Sequence, residues 1–243
     1  MRLLFIRHGD PDYAADSLTE TGRREAELLA ERMAETDISE YYVSPLGRAL
    51  DTAQPTLEKA GRTAEKCEWL QEFSVAVHRP DKNGGLSQVP WDWLPQDWSR
   101  DPVLLDRELW HTHPVFAEMD VKGEYDHVIC EFEQVLAAHG YVRDGLCYRV
   151  ERAGSKTLAF FCHFGVTCVL MSRLMNVSPM VLWHGLAMAP SSVTSFYSEE
   201  RRPGIASFRA SCVGDISHLY AGGQGPSFSA RFCEVYGNGE RVD

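Results

Sequence analysis

Residues Arg2-Leu3-Leu4-Phe5-Ile6-Arg7-His8-Gly9-Asp10-Pro11 run from an unbroken apolar stretch into Arg-His-Gly and then into a turn. Leu3 to Ile6 is too short for a helix and has the composition of a strand covered on both faces, while Gly9 and Pro11 stop it before a helix can form. In open α/β sheets ligands bind beyond the carboxyl ends of such strands, so Arg7 and His8 stand where chemistry is expected. Taken alone, the tripeptide reads equally well as a capped strand end carrying two surface polar residues.

The same pattern recurs far along the chain. Thr157-Leu158-Ala159-Phe160-Phe161-Cys162 is a second apolar run, it ends in His163-Phe164-Gly165, and a helix is expected from Val166 to Met175. Between the two, Leu18 to Met33 carries Thr19 as a helix cap, Glu20 in the first turn, and Ala26, Leu29, Ala30 and Met33 at helical spacing. Gly22 costs such a helix up to ~1 kcal/mol against alanine, which suggests close approach to another backbone. Tyr41-Tyr42-Val43 reads as a strand, after which Ser44 as cap and Pro45 at the first position open a helix from Leu46 to Ala60. Arg48 therefore falls in a first helical turn, where unpaired N–H groups and a guanidinium make an anion site, unless it is bonded to solvent or to Asp51.

Cys67 to Leu70 is a third strand candidate, ending at Gln71-Glu72-Phe73. From about residue 74 to 123 the periodicity is lost among prolines, Gly84-Gly85 and Trp91, Trp93, Trp98 and Trp110, which reads as an inserted cap or lid whose tryptophans form their own small core or line a pocket. A helix over Glu124–His139 closed by Gly140, strands over Cys147–Glu151 and Lys156–Cys162, a short helix from Val177 to His184, and strands over Ser191–Tyr197 and Ile205–Val213 follow. The Gly/Ser-rich tail from Gly222 to Gly239 has no assignment. No repeat and no linker divides the chain, so residues 1–243 are expected to form a single domain with the cap inside it.

The 243 residues, 44% of them hydrophobic, suffice for a full core. Lys plus Arg number 24 against 35 Asp plus Glu, a net charge of −11 that disfavours nucleic-acid binding and leaves phosphate recognition to a local pocket. The 7 cysteines include no CxxC pair, which argues against a disulfide scaffold and a zinc site. Four apolar residues before Arg7 are too few for a signal peptide, and no stretch approaches the ~18 apolar residues of a membrane span, so a soluble cytoplasmic protein without a membrane partner is expected.

Taken together, Arg7-His8-Gly9, Leu18-Thr19-Glu20-Thr21-Gly22-Arg23-Arg24-Glu25-Ala26, Ser44-Pro45-Leu46-Gly47-Arg48-Ala49-Leu50-Asp51-Thr52-Ala53, Glu72 and His163-Phe164-Gly165 resemble the signature of the histidine phosphatase superfamily, its phosphoglycerate-mutase-like group. The resemblance covers Arg2 to about Leu174 apart from the cap. It implies a three-layer α/β/α fold with a mostly parallel central sheet, and a metal-independent phosphomonoesterase that uses no cofactor. His8 is then the nucleophile, phosphorylated in the reaction, and Arg7, Arg48 and His163 donate to the phosphoryl oxygens. In the mutase-like branch the proton donor is a Glu after the third strand, here Glu72. The other branch places its acid directly after the second histidine, where this chain has Phe164.

The chemistry agrees with this assignment. Phosphoryl transfer needs an in-line nucleophile and positive donors around the equatorial oxygens. A neutral His8, its second nitrogen held by the backbone near Gly9, and two guanidiniums would meet that need. A carboxyl of raised pKa would protonate the leaving oxygen, with Asp10 and Asp12 as alternatives to Glu72. Many family members carry an Asn shortly after Arg-His-Gly; here Asp10-Pro11-Asp12-Tyr13-Ala14 stands instead, which argues against substrates bearing several phosphates. A small phosphorylated substrate is thus expected to meet Arg7, Arg48, His163, Phe164, Asp10 and Tyr13. Phosphoglycerate-mutase-type transfer, a phosphate-binding protein without turnover, and a metal hydrolase built on His111, His113, Glu108 and Glu118 are the alternatives.

Overall fold

In a computed structural model, which describes residues 1–79, 85–227 and 231–238, the opening stretch is strand β1 (Arg2–Arg7). Its side chains alternate between two apolar clusters, Leu3 and Phe5 in one, Leu4 and Ile6 in the other, and none of the four is more than 1% exposed. Burial on both faces is why the run is apolar without alternation.

Two-residue strands β2 (Pro11–Asp12) and β3 (Ser17–Leu18) pair as a hairpin and lead into α1 (Glu20–Ala34). Thr19 caps α1, its Oγ accepting from the Gly22 N–H at 3.0 Å. A Cβ at Gly22 would stand 2.2 Å from the Asp10 carbonyl oxygen, so the helix tolerates glycine there for the sake of a backbone contact. After β4 (Glu40–Val43), α2 (Gly47–Ala60) begins one residue later than the sequence suggests, with Leu46 rather than Ser44 at the cap. The carboxylate of Asp16 takes the capping role, accepting from the Gly47 N–H at 2.7 Å.

The expected strand at 67–70 is replaced by β5 (Glu65–Lys66) and a 3-10 turn at Glu68–Leu70. Trp69 and Leu70 are consecutive and both buried in one cluster, which an extended strand would prevent by sending them to opposite faces. Next come the hairpin β6 (Val77–His78) and β7 (Leu86–Ser87), the short helices α3 (Pro95–Trp98) and α4 (Pro102–Leu105), and 3-10 turns at Trp110–Thr112 and Pro114–Phe116. Trp91, Trp93, Leu104, Trp110 and Phe116 from this region join the cluster that holds Leu3 and Phe5.

Helix α5 (Val121–Ala138) starts three residues early because Asp120 caps it, accepting from the Gly123 N–H at 2.9 Å. Strand β8 (Tyr141–Asp144), unforeseen in the sequence, forms a hairpin with β9 (Cys147–Val150). Then follow β10 (Thr157–Cys162), α6 (Phe164–Met175), α7 (Pro179–Gly185), the long pair β11 (Val193–Arg202) and β12 (Ile205–Asp215), and α8 (Ser217–Ala221).

Eight strands form one sheet in the order β5-β4-β10-β1-β11-β12-β9-β8. The half from β5 to β1 is parallel and the half from β1 to β8 is antiparallel. Leu29 and Met33 of α1 and Ala49 and Ala53 of α2 pack with Leu4 and Ile6, whereas Phe132 of α5 and Val166 and Leu170 of α6 pack with Leu3 and Phe5. The expected α/β architecture is therefore present, with a mixed sheet that is parallel through its core. Register pairs Arg7 with Cys162 and Phe161 with Val43, so the chain leaves β4, β10 and β1 at one level, delivering Ser44, His163 and His8 side by side.

Candidate functional site

His8 is 2% exposed and its Nδ1 lies 2.7 Å from the Gly9 carbonyl oxygen. A carbonyl only accepts, so the proton is on Nδ1 and Nε2 keeps its lone pair. Burial, then the charge of Arg7, push the imidazole down to about 3 against the Gly9 bond that favours protonation, and Arg48 pushes the same way. The ring is thus neutral at physiological pH. His163 is fully buried with its ring centroid 5.2 Å from that of His8, and burial followed by His8, Arg48 and Arg7 holds its pKa well below the usual histidine range. Its Nε2 is 2.8 Å from Ser44 Oγ, and its Nδ1 is buried with no hydrogen-bond partner among the described residues.

Two guanidiniums act on both rings. Arg7 at the end of β1 is buried, and its Nη1 donates to the Met188 carbonyl at 2.5 Å. Burial lowers its pKa while Tyr13, Glu72 and Glu25 oppose the effect. Arg48, in the first turn of α2, donates from Nη1 to Asp16 at 2.6 Å, so the partner is Asp16 rather than Asp51, whose carboxylate instead accepts from Ser17 Oγ. The Tyr13 ring lies beneath the Arg48 guanidinium at 5.5 Å and edge-on to His8 at 6.5 Å, with 66% of the residue exposed. Asp10 turns its carboxylate to the Thr19 hydroxyl at 2.7 Å, and Asp12 accepts from the Ala14 and Ala15 N–H groups, so both acids organise the loop around Tyr13.

Glu72 follows the 3-10 turn and reaches the start of α6. Its Oε1 accepts from its neighbour Phe73 N–H at 2.9 Å and from Val166 N–H at 3.1 Å, capping the helix that His163 and Phe164 begin. Burial raises the carboxyl's pKa, opposed in part by those N–H groups and by the charges of Arg7 and Arg48. Phe164 stands at the first helical position with its ring edge-on to Trp91 at 5.9 Å.

Arg7, His8, Arg48, Glu72 and His163 thus converge in one place. Of the residues around them, Thr52 belongs to the Ser44–Ala53 motif, whereas Ser191 and His218 have no local signature. Thr52 Oγ accepts from the Gly9 N–H at 2.9 Å, and Ser191 donates its N–H to the His8 carbonyl at 3.0 Å from a left-handed backbone (φ +57°) that non-glycine residues seldom adopt. Ser191 Oγ lies 3.1 Å from Nε2 of His218. Such contacts between loops distant in sequence leave no periodicity to read.

Among the described residues no group of three His, Cys, Asp or Glu side chains is placed to hold a metal ion. His113, for example, accepts from the Val115 N–H at 3.2 Å. No helix among them is long and apolar enough to cross a membrane.

The family model of the histidine phosphatase superfamily (branch 1) matches residues 3–211, which include every position of the cluster. The chain belongs to that superfamily. Solved structures show the same fold as this histidine phosphatase superfamily member. A phosphoserine phosphatase mutant from Entamoeba histolytica in complex with phosphoserine has a TM-score of 0.56 at 17% identity, covering 90% of this chain and 98% of that one. The mycobacterial glucosyl-3-phosphoglycerate phosphatase in complex with VO3 gives 0.54 at 21% identity over 87% and 98%, and its complex with inorganic phosphate 0.56 at 20% over 90% and 99%. No curated protein gives a significant match.

Proposed function

We propose that this protein hydrolyses a small phosphomonoester through a phosphohistidine on His8, without a metal ion or other cofactor. The observation that carries the reading is the tautomer of His8: the Gly9 carbonyl takes the Nδ1 proton, and burial beside two guanidiniums keeps the ring neutral, so Nε2 offers a lone pair at any working pH. Arg7 and Arg48 supply charge to the equatorial oxygens. Ser44 Oγ accepts from the Leu46 N–H and lies 2.8 Å from His163 Nε2; in the tautomer in which that nitrogen accepts the Ser44 proton, the buried Nδ1–H of His163 is a donor to phosphate.

In the first step His8 Nε2 bonds to phosphorus, the P–O ester bond breaks, and the leaving oxygen takes the proton of Glu72. In the second, Glu72 as carboxylate takes a proton from water, whose oxygen attacks phosphorus; the P–N bond breaks and inorganic phosphate leaves. The raised pKa of Glu72 suits the first role, and the neighbouring guanidiniums keep the ionised form accessible for the second. Water rather than a second substrate hydroxyl is assigned as acceptor because solved proteins of this fold are named phosphatases for phosphoserine and glucosyl-3-phosphoglycerate.

A screen of phosphate release over sugar phosphates, nucleotides, phosphoglycerates and phosphoamino acids tests the reading. Wild type is expected to turn over monoesters, and His8→Asn to lose at least about a thousandfold in kcat. A variant as active as wild type contradicts it.

A further inference from the structure

One side chain of the Trp-rich region reaches the candidate site. Trp91 is 7% exposed and its six-membered ring lies on Gly165: a Cβ built there would stand 2.2 Å from Cη2 of Trp91 and 2.7 Å from Oε1 of Glu72. Ring and carboxyl thus share the space that a side chain at residue 165 would fill. Phe164 meets the ring edge-on at 5.9 Å, Trp183 lies 5.8 Å away, and Trp183 is fixed in turn by a bond from its indole N–H to the Gly165 carbonyl at 3.0 Å. The backbone of Trp91 is itself held: buried Arg79 donates to the Trp91 carbonyl at 2.9 Å and to the Asp92 carbonyl, at a residue with a left-handed φ of +68°.

We infer that Trp91 is a positioning residue for the proton on Glu72, its ring, seated on Gly165 and anchored through Arg79, walling the carboxyl off from water. The inference rests on the assignment of Glu72 as proton donor above. Two backbone N–H groups, Arg7 from β1 and Arg48 from α2 all favour the carboxylate. The thiols of Cys162 on β10 and Cys168 on α6 also face it, but burial pushes both up, Cys162 to about 12, so they stay neutral. Burial opposes the N–H groups and guanidiniums: Glu72 is half-buried, and the Trp91 indole covers the Gly165 side of its carboxyl with a large apolar surface. Gly165 is then required by this contact, since a side chain there would displace both the ring and the carboxyl oxygen.

The test compares phenyl phosphate, whose leaving oxygen needs a proton, with p-nitrophenyl phosphate, whose leaving group departs as the anion. A general acid works only while protonated, so its pKa sets the basic limb of the kcat/KM profile. Trp91→Leu is expected to move that limb to lower pH by about one unit, and to slow phenyl phosphate about tenfold above it while p-nitrophenyl phosphate changes less than about threefold. Trp91→Phe, which restores a ring, returns the limb to within about 0.3 unit. Gly165→Ala, whose Cβ displaces both the ring and Oε1 of Glu72, is expected to move the limb in the same direction and is the second variant should Trp91→Leu fail to fold. Independently of activity, the carboxyl carbon resonance of Glu72, identified by its loss in Glu72→Gln, is expected to titrate at lower pH in Trp91→Leu. A folded Trp91→Leu or Gly165→Ala protein with an unmoved limb, or with equal losses on both esters, overturns the inference. Glu72→Gln separates the two levels: if it retains phenyl phosphate hydrolysis the assignment of Glu72 has failed, whereas a selective loss there beside an unmoved limb in the wall variants condemns Trp91 alone.

Discussion

Replacing Glu25 by Gln is expected to stabilise the fold in a strongly pH-dependent way. Glu25 is fully buried in α1, and its Oε2 accepts from the Asp10 N–H at 2.7 Å directly behind the Arg7-His8 strand end. Burial raises its pKa from 4.5 to about 7, against the Asp10 N–H, which lowers it, and with help from the Asp10 carboxylate. Between those two values the folded protein holds a proton that the unfolded chain has released. The associated stability is complete below pH 4.5, declines as pH rises, and is gone above about 7. At ~1.4 kcal/mol per pH unit the interval corresponds to about 3 kcal/mol. Glutamine keeps an oxygen for the Asp10 N–H and cannot ionise. Urea unfolding of wild type and Glu25→Gln, followed by tryptophan fluorescence, should give a difference that grows in favour of the variant by about 3 kcal/mol between pH 4.5 and 8. His8 and His218, driven down to about 3 and about 4, destabilise both proteins as pH falls, and their contributions cancel in the difference. A difference that stays constant over this range would mean that Glu25 does not carry a raised pKa in the folded protein.

Gly22→Ala should lower stability by about 1–3 kcal/mol in the same unfolding assay despite alanine's higher helix propensity, because the new Cβ meets the Asp10 carbonyl at 2.2 Å. A stabilised variant would mean that α1 and the Asp10 turn are not packed as described. Phosphatase activity should survive exhaustive EDTA treatment and be unmoved by added divalent ions, since Arg7 and Arg48 carry the charge that a metal would otherwise supply. Reversible loss on chelation would favour a metal-assisted reaction.

The parts of this protein that could be read from its sequence are those whose causes are local. β1 and β10 announce themselves because burial on both faces demands uninterrupted apolar residues, and each ends in a histidine one step beyond the sheet. Thr19 and Gly22 are likewise explained within one helical turn and one neighbouring backbone. Reading fails where a distant residue takes over a local role. Asp16, some thirty positions earlier, caps α2 and frees Ser44 to face His163. Trp69 and Leu70 follow the core into a 3-10 turn instead of extending an edge strand. Trp91, Met188 and Ser191 approach the cluster through loop packing or backbone groups, for which spacing carries no signal. Glu72 lies between these cases: the family resemblance implies an acid after a third strand, whereas the structure sets it after a 3-10 turn, capping α6 beside Gly165.

Phosphorylation of His8 can be measured directly. Wild-type protein mixed with radiolabelled phenyl phosphate, quenched in alkali within the first turnover and digested, should carry label on the His8 peptide that is stable to base and lost in acid. His8→Ala should carry none and turn over nothing. Label on another residue, or a His8→Ala protein that still releases phosphate at the wild-type rate, would contradict the account.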